Sequence, residues 1–79
     1  MEDRYTYELV KFGEQIRRYR LLKGMTQVDL ALKCNVDNGD ISRIENGRKN
    51  LEFYTIVKLA EALDIQLNDL FPNGTEPKI

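Results

Sequence analysis

The chain has no histidine, and its 79 residues include one cysteine, Cys34, and two prolines. Each shortage closes a class of chemistry. Without an imidazole there is no histidine general base, and neither a Ser-His nor a Cys-His nucleophile pair can be assembled. A lone cysteine forms no disulfide within the chain, and a Cys/His metal site lacks its ligands. A glycine-rich phosphate loop is missing, and no apolar run approaches the ~20 residues that span a bilayer. The opening stretch MEDRYTYELV lacks the basic-then-apolar order of a signal peptide, so a cytoplasmic protein without membrane contact is expected. Carboxylates are plentiful, but their spacing follows exposed helix faces. The expectation is therefore no enzyme and no cofactor.

What is present is ordinary for a soluble globular chain: 42% apolar and 32% charged residues. The length fits a single domain over residues 1–79, with a modest core over about 12–71 and a flexible tail at 73–79. The net charge of −1 hides a segregation. Residues 11–49 carry nine basic and five acidic side chains, and the remainder carries three basic and eight acidic ones. A basic centre lies between acidic ends, and local sign, not net charge, sets the field that a DNA backbone meets.

The pattern is all-helical, with no repeats and no strand alternation. A first helix is expected over residues 7–23, where Leu9, Phe12, Ile16 and Tyr19 recur at helical spacing while Arg17, Arg18 and Lys23 lie off that face. Gly24 supplies a left-handed stop. Thr26 is a good N-cap for a second helix ending near Lys33, with Asp29 three residues on as capping partner, and residues 34–36 make a turn. Asp37 opens a third helix, again with an acid, Asp40, three residues on. Its buried stripe is Ile41 and Ile44, and Gly47 ends it. A fourth helix is expected over 52–63 with Phe53, Ile56, Ala60 and Leu63 on one face, and a short fifth over 67–71, stopped by Pro72. Two short helices joined by a tight turn, the second with a polar outer edge, read as a helix-turn-helix.

MTQVDLA, then ISRIENG, then IVKLAEALDIQLNDLF, in this order and spacing, resemble the lambda-repressor-like, Cro/cI-type helix-turn-helix family over about residues 12–71. The resemblance implies an all-α, compact five-helix DNA-binding domain. It implies that Gln27, just after the N-cap of helix 2, contacts a DNA phosphate, and a helix N-terminus is a physically sound place for one. Asn38, Gly39, Ser42 and Arg43 match the base-reading positions. Arg43 is the strongest reader, because a guanidinium pairs with both O6 and N7 of guanine, though phosphate contact alone is open to it as well. Asn38 either reads adenine or finishes the helix's first turn. Gly39 departs from the long side chain many relatives carry there. It either lets the backbone approach DNA or leaves fewer direct contacts. Asp40 near phosphates is awkward, and capping its own helix is its expected role. Asn46, Arg48 and Lys49 match the loop that clamps the DNA backbone. Arg20 and Glu45 match an internal salt bridge. Cys34 occupies a small buried position, so core packing is expected of it.

One such motif reads only a few base pairs, and family members bind as two-fold dimers on half-sites about one helical turn apart. Tyr5, Tyr7, Leu51, Tyr54, Val57 and Ile65 exceed what a small core needs. A homodimer interface is expected from Leu51, Tyr54, Val57 and Ile65, near helices 4 and 5. The resemblance implies a transcriptional regulator acting as a homodimer on an inverted-repeat operator, of the kind found among restriction–modification controller proteins and small phage repressors. An antitoxin or other protein-binding module of the same fold is the alternative, and a toxin or RNA polymerase stays open as a further partner. Only residues 1–7 and 73–79 are spare for wrapping a toxin.

Overall fold

The computed structural model describes residues 3–72. Among these lie four α-helices, α1 (Arg4–Leu22), α2 (Gln27–Cys34), α3 (Asn38–Glu45) and α4 (Phe53–Leu63), followed by one 3₁₀ turn, Leu67–Leu70. The fold class is all-α as expected, but the short fifth element is one turn of 3₁₀ helix and not an α-helix. The tail at 73–79 falls outside the described residues. No helix among the described residues is long and apolar enough to cross a membrane.

α1 begins three residues earlier than its apolar period, because Asp3 caps it by accepting from the Thr6 amide at 2.8 Å. α2 opens on a reciprocal capping box: the Asp29 amide donates to Thr26 Oγ1 at 3.0 Å and the Thr26 amide to Asp29 Oδ2 at 2.9 Å. All four helices close alike. Gly24, Asn35, Gly47 and Asp64 take left-handed backbone, and the next amide reaches back five residues: Met25 to Arg20, Val36 to Ala31, Arg48 to Arg43 and Ile65 to Ala60. Met25, Val36 and Ile65 then fold onto the core, which ties each turn to the interior.

The core is built from Ile16 of α1, Leu30 of α2, Ile41 and Ile44 of α3, Leu59 and Leu63 of α4, and Leu70 of the 3₁₀ turn. Phe12, Ala31, Cys34, Ala60 and Ala62 complete it. On α4 the expected face is only partly right. Ala60 and Leu63 are buried, but Phe53 is 66% exposed and Leu59 and Ala62 point inward instead. Helical spacing fixes direction around an axis; it does not fix how far along that axis the core extends.

α3 packs on α1 and on α2, while α4 packs on α2 and α1. The α1–α3 contact is closest at Gly13, where a β-carbon would lie 2.2 Å from the Ile44 carbonyl oxygen and 2.7 Å from that of Glu45. Gly47 closes the same contact from the other side: its φ is +70°, and a β-carbon there would lie 2.8 Å from the Val10 Cα.

Candidate nucleic-acid interface

α3 is short, and its sequence divides it cleanly. Ile41, Ile44 and Glu45 face the interior, while Asn38 and Arg43 are exposed and Gly39 and Ser42 half-buried. Asn38 and Ser42, and Gly39 and Arg43, are pairs four residues apart, so they form two adjacent rows on the outer side of the helix. Asp37 caps the helix by accepting from the Gly39 amide at 2.9 Å. Asn46 is the C-cap, and Arg48 and Lys49 follow directly. Five of the eight candidate DNA-contacting residues therefore gather on or at the end of α3, with exposed Arg48 and half-buried Lys49 just beyond. Gln27 stands at the start of α2.

The rear of α3 is bolted by charge. Arg20 donates from Nε to Glu45 Oε2 at 2.6 Å and from Nη2 to Glu45 Oε1 at 3.2 Å, and Nη1 donates to the Met25 carbonyl at 2.8 Å. Gln27 Nε2 adds a third donor to the Glu45 carboxylate at 3.0 Å. Arg20 and Glu45 are both buried, and no buried side-chain polar atom among the described residues lacks a partner. Removing one member of such a pair costs ~3–5 kcal/mol, because a buried charge is left uncompensated. α1, the α1–α2 turn, α2 and α3 thus meet at the Arg20–Glu45 pair, which holds α3 in its orientation. For Gln27 this is a role that reading along the chain missed. One hydrogen of its amide nitrogen is engaged inward, which leaves the second and the backbone amides at the start of α2 to donate to any phosphate.

Asp40 also differs from its expected part. It does not serve as the cap, since Asp37 does. Its carboxylate lies on Arg43 Nη2 at 2.5 Å and 3.8 Å from Lys49 Nζ. The pattern Asp37-x-x-Asp40 imitates a capping box and conceals this in sequence.

The remaining chemistry is sparse. Among the described residues no cluster of three or more His, Cys, Asp or Glu could hold a metal ion. Cys34 is buried, and burial pushes its thiol pKa up, only partly offset by the nearby Lys58 ammonium. The proposed dimer residues divide: Tyr54 is exposed, Leu51, Val57 and Ile65 are half-buried, and Leu51 and Ile65 pack against the core.

A helix-turn-helix whose second helix is braced from behind and polar in front defines a class, and the comparisons with known proteins place the chain in it. The sequence pattern of the family described as helix-turn-helix (HTH_3) matches residues 16–70, and the chain belongs to that family. It is 40% identical over 60 residues to the control protein C.BamHI of Bacillus amyloliquefaciens, covering 75% of this chain and 74% of that protein. Its fold matches the restriction–modification controller protein C.AhdI from Aeromonas hydrophila with a TM-score of 0.80 and 40% identity, covering 82% of this chain and 98% of that one. It also matches the controller protein C.Esp1396I, crystallised as a tetramer with its natural 35 base-pair operator, with a TM-score of 0.76 and 37% identity over 82% of this chain and 86% of that one.

Proposed function

We propose that the chain is a sequence-specific double-stranded DNA-binding transcriptional regulator of the controller type, acting as a homodimer on an inverted-repeat operator. The observation that carries this reading is α3: its outer rows present Asn38, Ser42 and Arg43 while Arg20, Gln27 and Glu45 hold its rear in place. A recognition helix needs both, because base edges are read only by side chains whose backbone is already fixed in the groove. The likeness to C.AhdI and to the operator-bound C.Esp1396I supports the same reading.

In this function Arg43 reads a guanine edge, Asn38 and Ser42 contact neighbouring positions, and Gly39 leaves room between α3 and the DNA. Asn46, Arg48 and Lys49 grip the backbone beyond the helix, and the start of α2 with Gln27 grips it in front. The protein works in the cytoplasm, with occupancy set by its own concentration, and its relatives are regulators, not enzymes. The test is selection from random duplex DNA by the purified protein beside Arg43→Ala. Enrichment of an inverted repeat with half-sites one helical turn apart, and loss of preference at one base pair in the variant, is the expected result. Binding that is sequence-blind and merely salt-sensitive would overturn it.

A further inference from the structure

The outer face of α3 carries its own acid. Asp40 accepts from Arg43 Nη2 through Oδ1, and its Oδ2 faces Lys49 Nζ at 3.8 Å. The carboxylate is only 26% exposed, whereas the arginine side chain it holds is 56% exposed. Helix capping does not account for it, because Asp37 already accepts from the Gly39 amide. On a surface that meets phosphates, a carboxylate is repelled by the ligand and weakens every encounter.

Gly39 leaves room beneath the guanidinium. A β-carbon on Gly39 would lie 3.7 Å from both Nη1 and Nη2 of Arg43, so the group rests over bare backbone where a longer side chain would displace it. Carboxylate and glycine together select one orientation of a side chain that is otherwise free to turn about several bonds. Arginine has five N–H donors and Asp40 engages one of its terminal nitrogens, which leaves others for an acceptor pair.

We propose that Asp40 is a positioning residue for sequence specificity: it orients Arg43 toward a guanine edge and lowers the affinity of Arg43 and Lys49 for DNA of any other sequence. The role rests on the DNA-reading function above. At the right base pair the oriented guanidinium gains O6 and N7, and the repulsion of the acid is offset. At a wrong one the acid remains against the phosphates and the arginine gains nothing in return. Asp40 thus discriminates partly by making incorrect complexes worse.

The experiment is a selection from random duplex DNA, and a titration of a fixed non-operator duplex at several salt concentrations, for the wild type, Asp40→Asn, Arg43→Ala and the double variant. Thermal melting of each reports folding. Asp40→Asn keeps shape and removes charge. It is expected to bind non-operator DNA about tenfold more tightly, with a salt dependence steeper by about one ion, and to lose most of the guanine preference at the Arg43 position. In the Arg43→Ala background the same change should leave base preference unaltered, since Asp40 acts through the arginine. Unchanged preference in Asp40→Asn, beside clear selection by the wild type, overturns the positioning role alone. A change in base preference that persists without Arg43 overturns it in favour of direct base contact by Asp40. A wild type that enriches no sequence overturns the DNA-reading function and this role with it.

Discussion

A β-carbon at position 13 would overlap the carbonyl oxygen of Ile44, so the mid-helix glycine of α1 is there for space. In an exposed helix interior, glycine to alanine gains ~1 kcal/mol from backbone entropy alone. Gly13→Ala inverts that sign. The added methyl meets backbone, which cannot rotate away as a side-chain tip can, and α1 and α3 must separate. Overpacking of this kind costs ~1–3 kcal/mol or more, and the helix gain offsets only part of it. The variant should melt several degrees below the wild type, since ~1 kcal/mol shifts a domain of this size by ~4–8 °C. Because α3 rides on this contact, operator affinity should fall in the same variant. Thermal melting followed by circular dichroism checks it, and an unchanged or raised midpoint would remove Gly13 from the α1–α3 seam.

Helix ends decide how the elements are joined, and α2 shows it most directly. Thr26 and Asp29 satisfy each other's backbone amides at the entrance to the turn-bearing pair. Thr26→Ala should cost ~1 kcal/mol. The same box predicts a pH dependence. Hydrogen bonds from the Thr26 backbone and side chain hold the Asp29 carboxyl below its ordinary value of 3.8, so the folded protein binds that proton less readily than the unfolded chain. The contribution is therefore complete above 3.8 and fades as pH falls below that value, through the lowered folded pKa. The gap in melting midpoint between wild type and Asp29→Asn should be open at neutral pH and should shrink toward the acid end of that range. A gap that stays constant with pH would show that the charge of Asp29 is not what caps α2. The caps were also what made the elements legible in sequence. Thr26, Asp37, Gly24 and Gly47 marked their ends, and the order of the helices followed. Where the cap lay ahead of any apolar stripe the reading fell short: Asp3 and Thr6 start α1 beside exposed Tyr5 and Tyr7, which carry no inward period. Asn35 and Asp64 end helices in a left-handed conformation that their residue types signal less strongly than glycine does. The pairing of Arg20 with Glu45 spans 25 residues, and only likeness to a family pointed to it. The contacts of Gln27 with Glu45 and of Asp40 with Lys49 depend on how the helices cross and on where the loop after α3 returns, which spacing along one element does not encode.

Seen as one body of 39 × 25 × 21 Å, the molecule packs both α3 and α4 on α1 and α2, with Arg48 and Lys49 just beyond α3 and exposed Phe53 and Tyr54 on α4. Phe53 and Tyr54 are largely exposed at the start of α4, and Val57 follows one turn on. Two large aromatic rings on one helix of a small domain are costly to leave in water and are the type of residue that dominates protein interfaces. The dimer prediction is argued from Tyr54. At 69% exposed it holds little of the protomer together, and the Lys58 ammonium lies over its ring, 5.1 Å from the centre. Tyr54→Glu should therefore leave the melting midpoint of dilute protein nearly unchanged while weakening self-association by at least ~1.4 kcal/mol, or tenfold. Sedimentation over the micromolar range should give a concentration-dependent dimer for the wild type and a largely monomeric variant. Binding to a full inverted repeat should weaken with it, whereas binding to a single half-site should not, because one protomer makes the same contacts alone. A wild type that remains monomeric throughout, or a variant that dimerises as well as the wild type, would place the interface elsewhere than on α4.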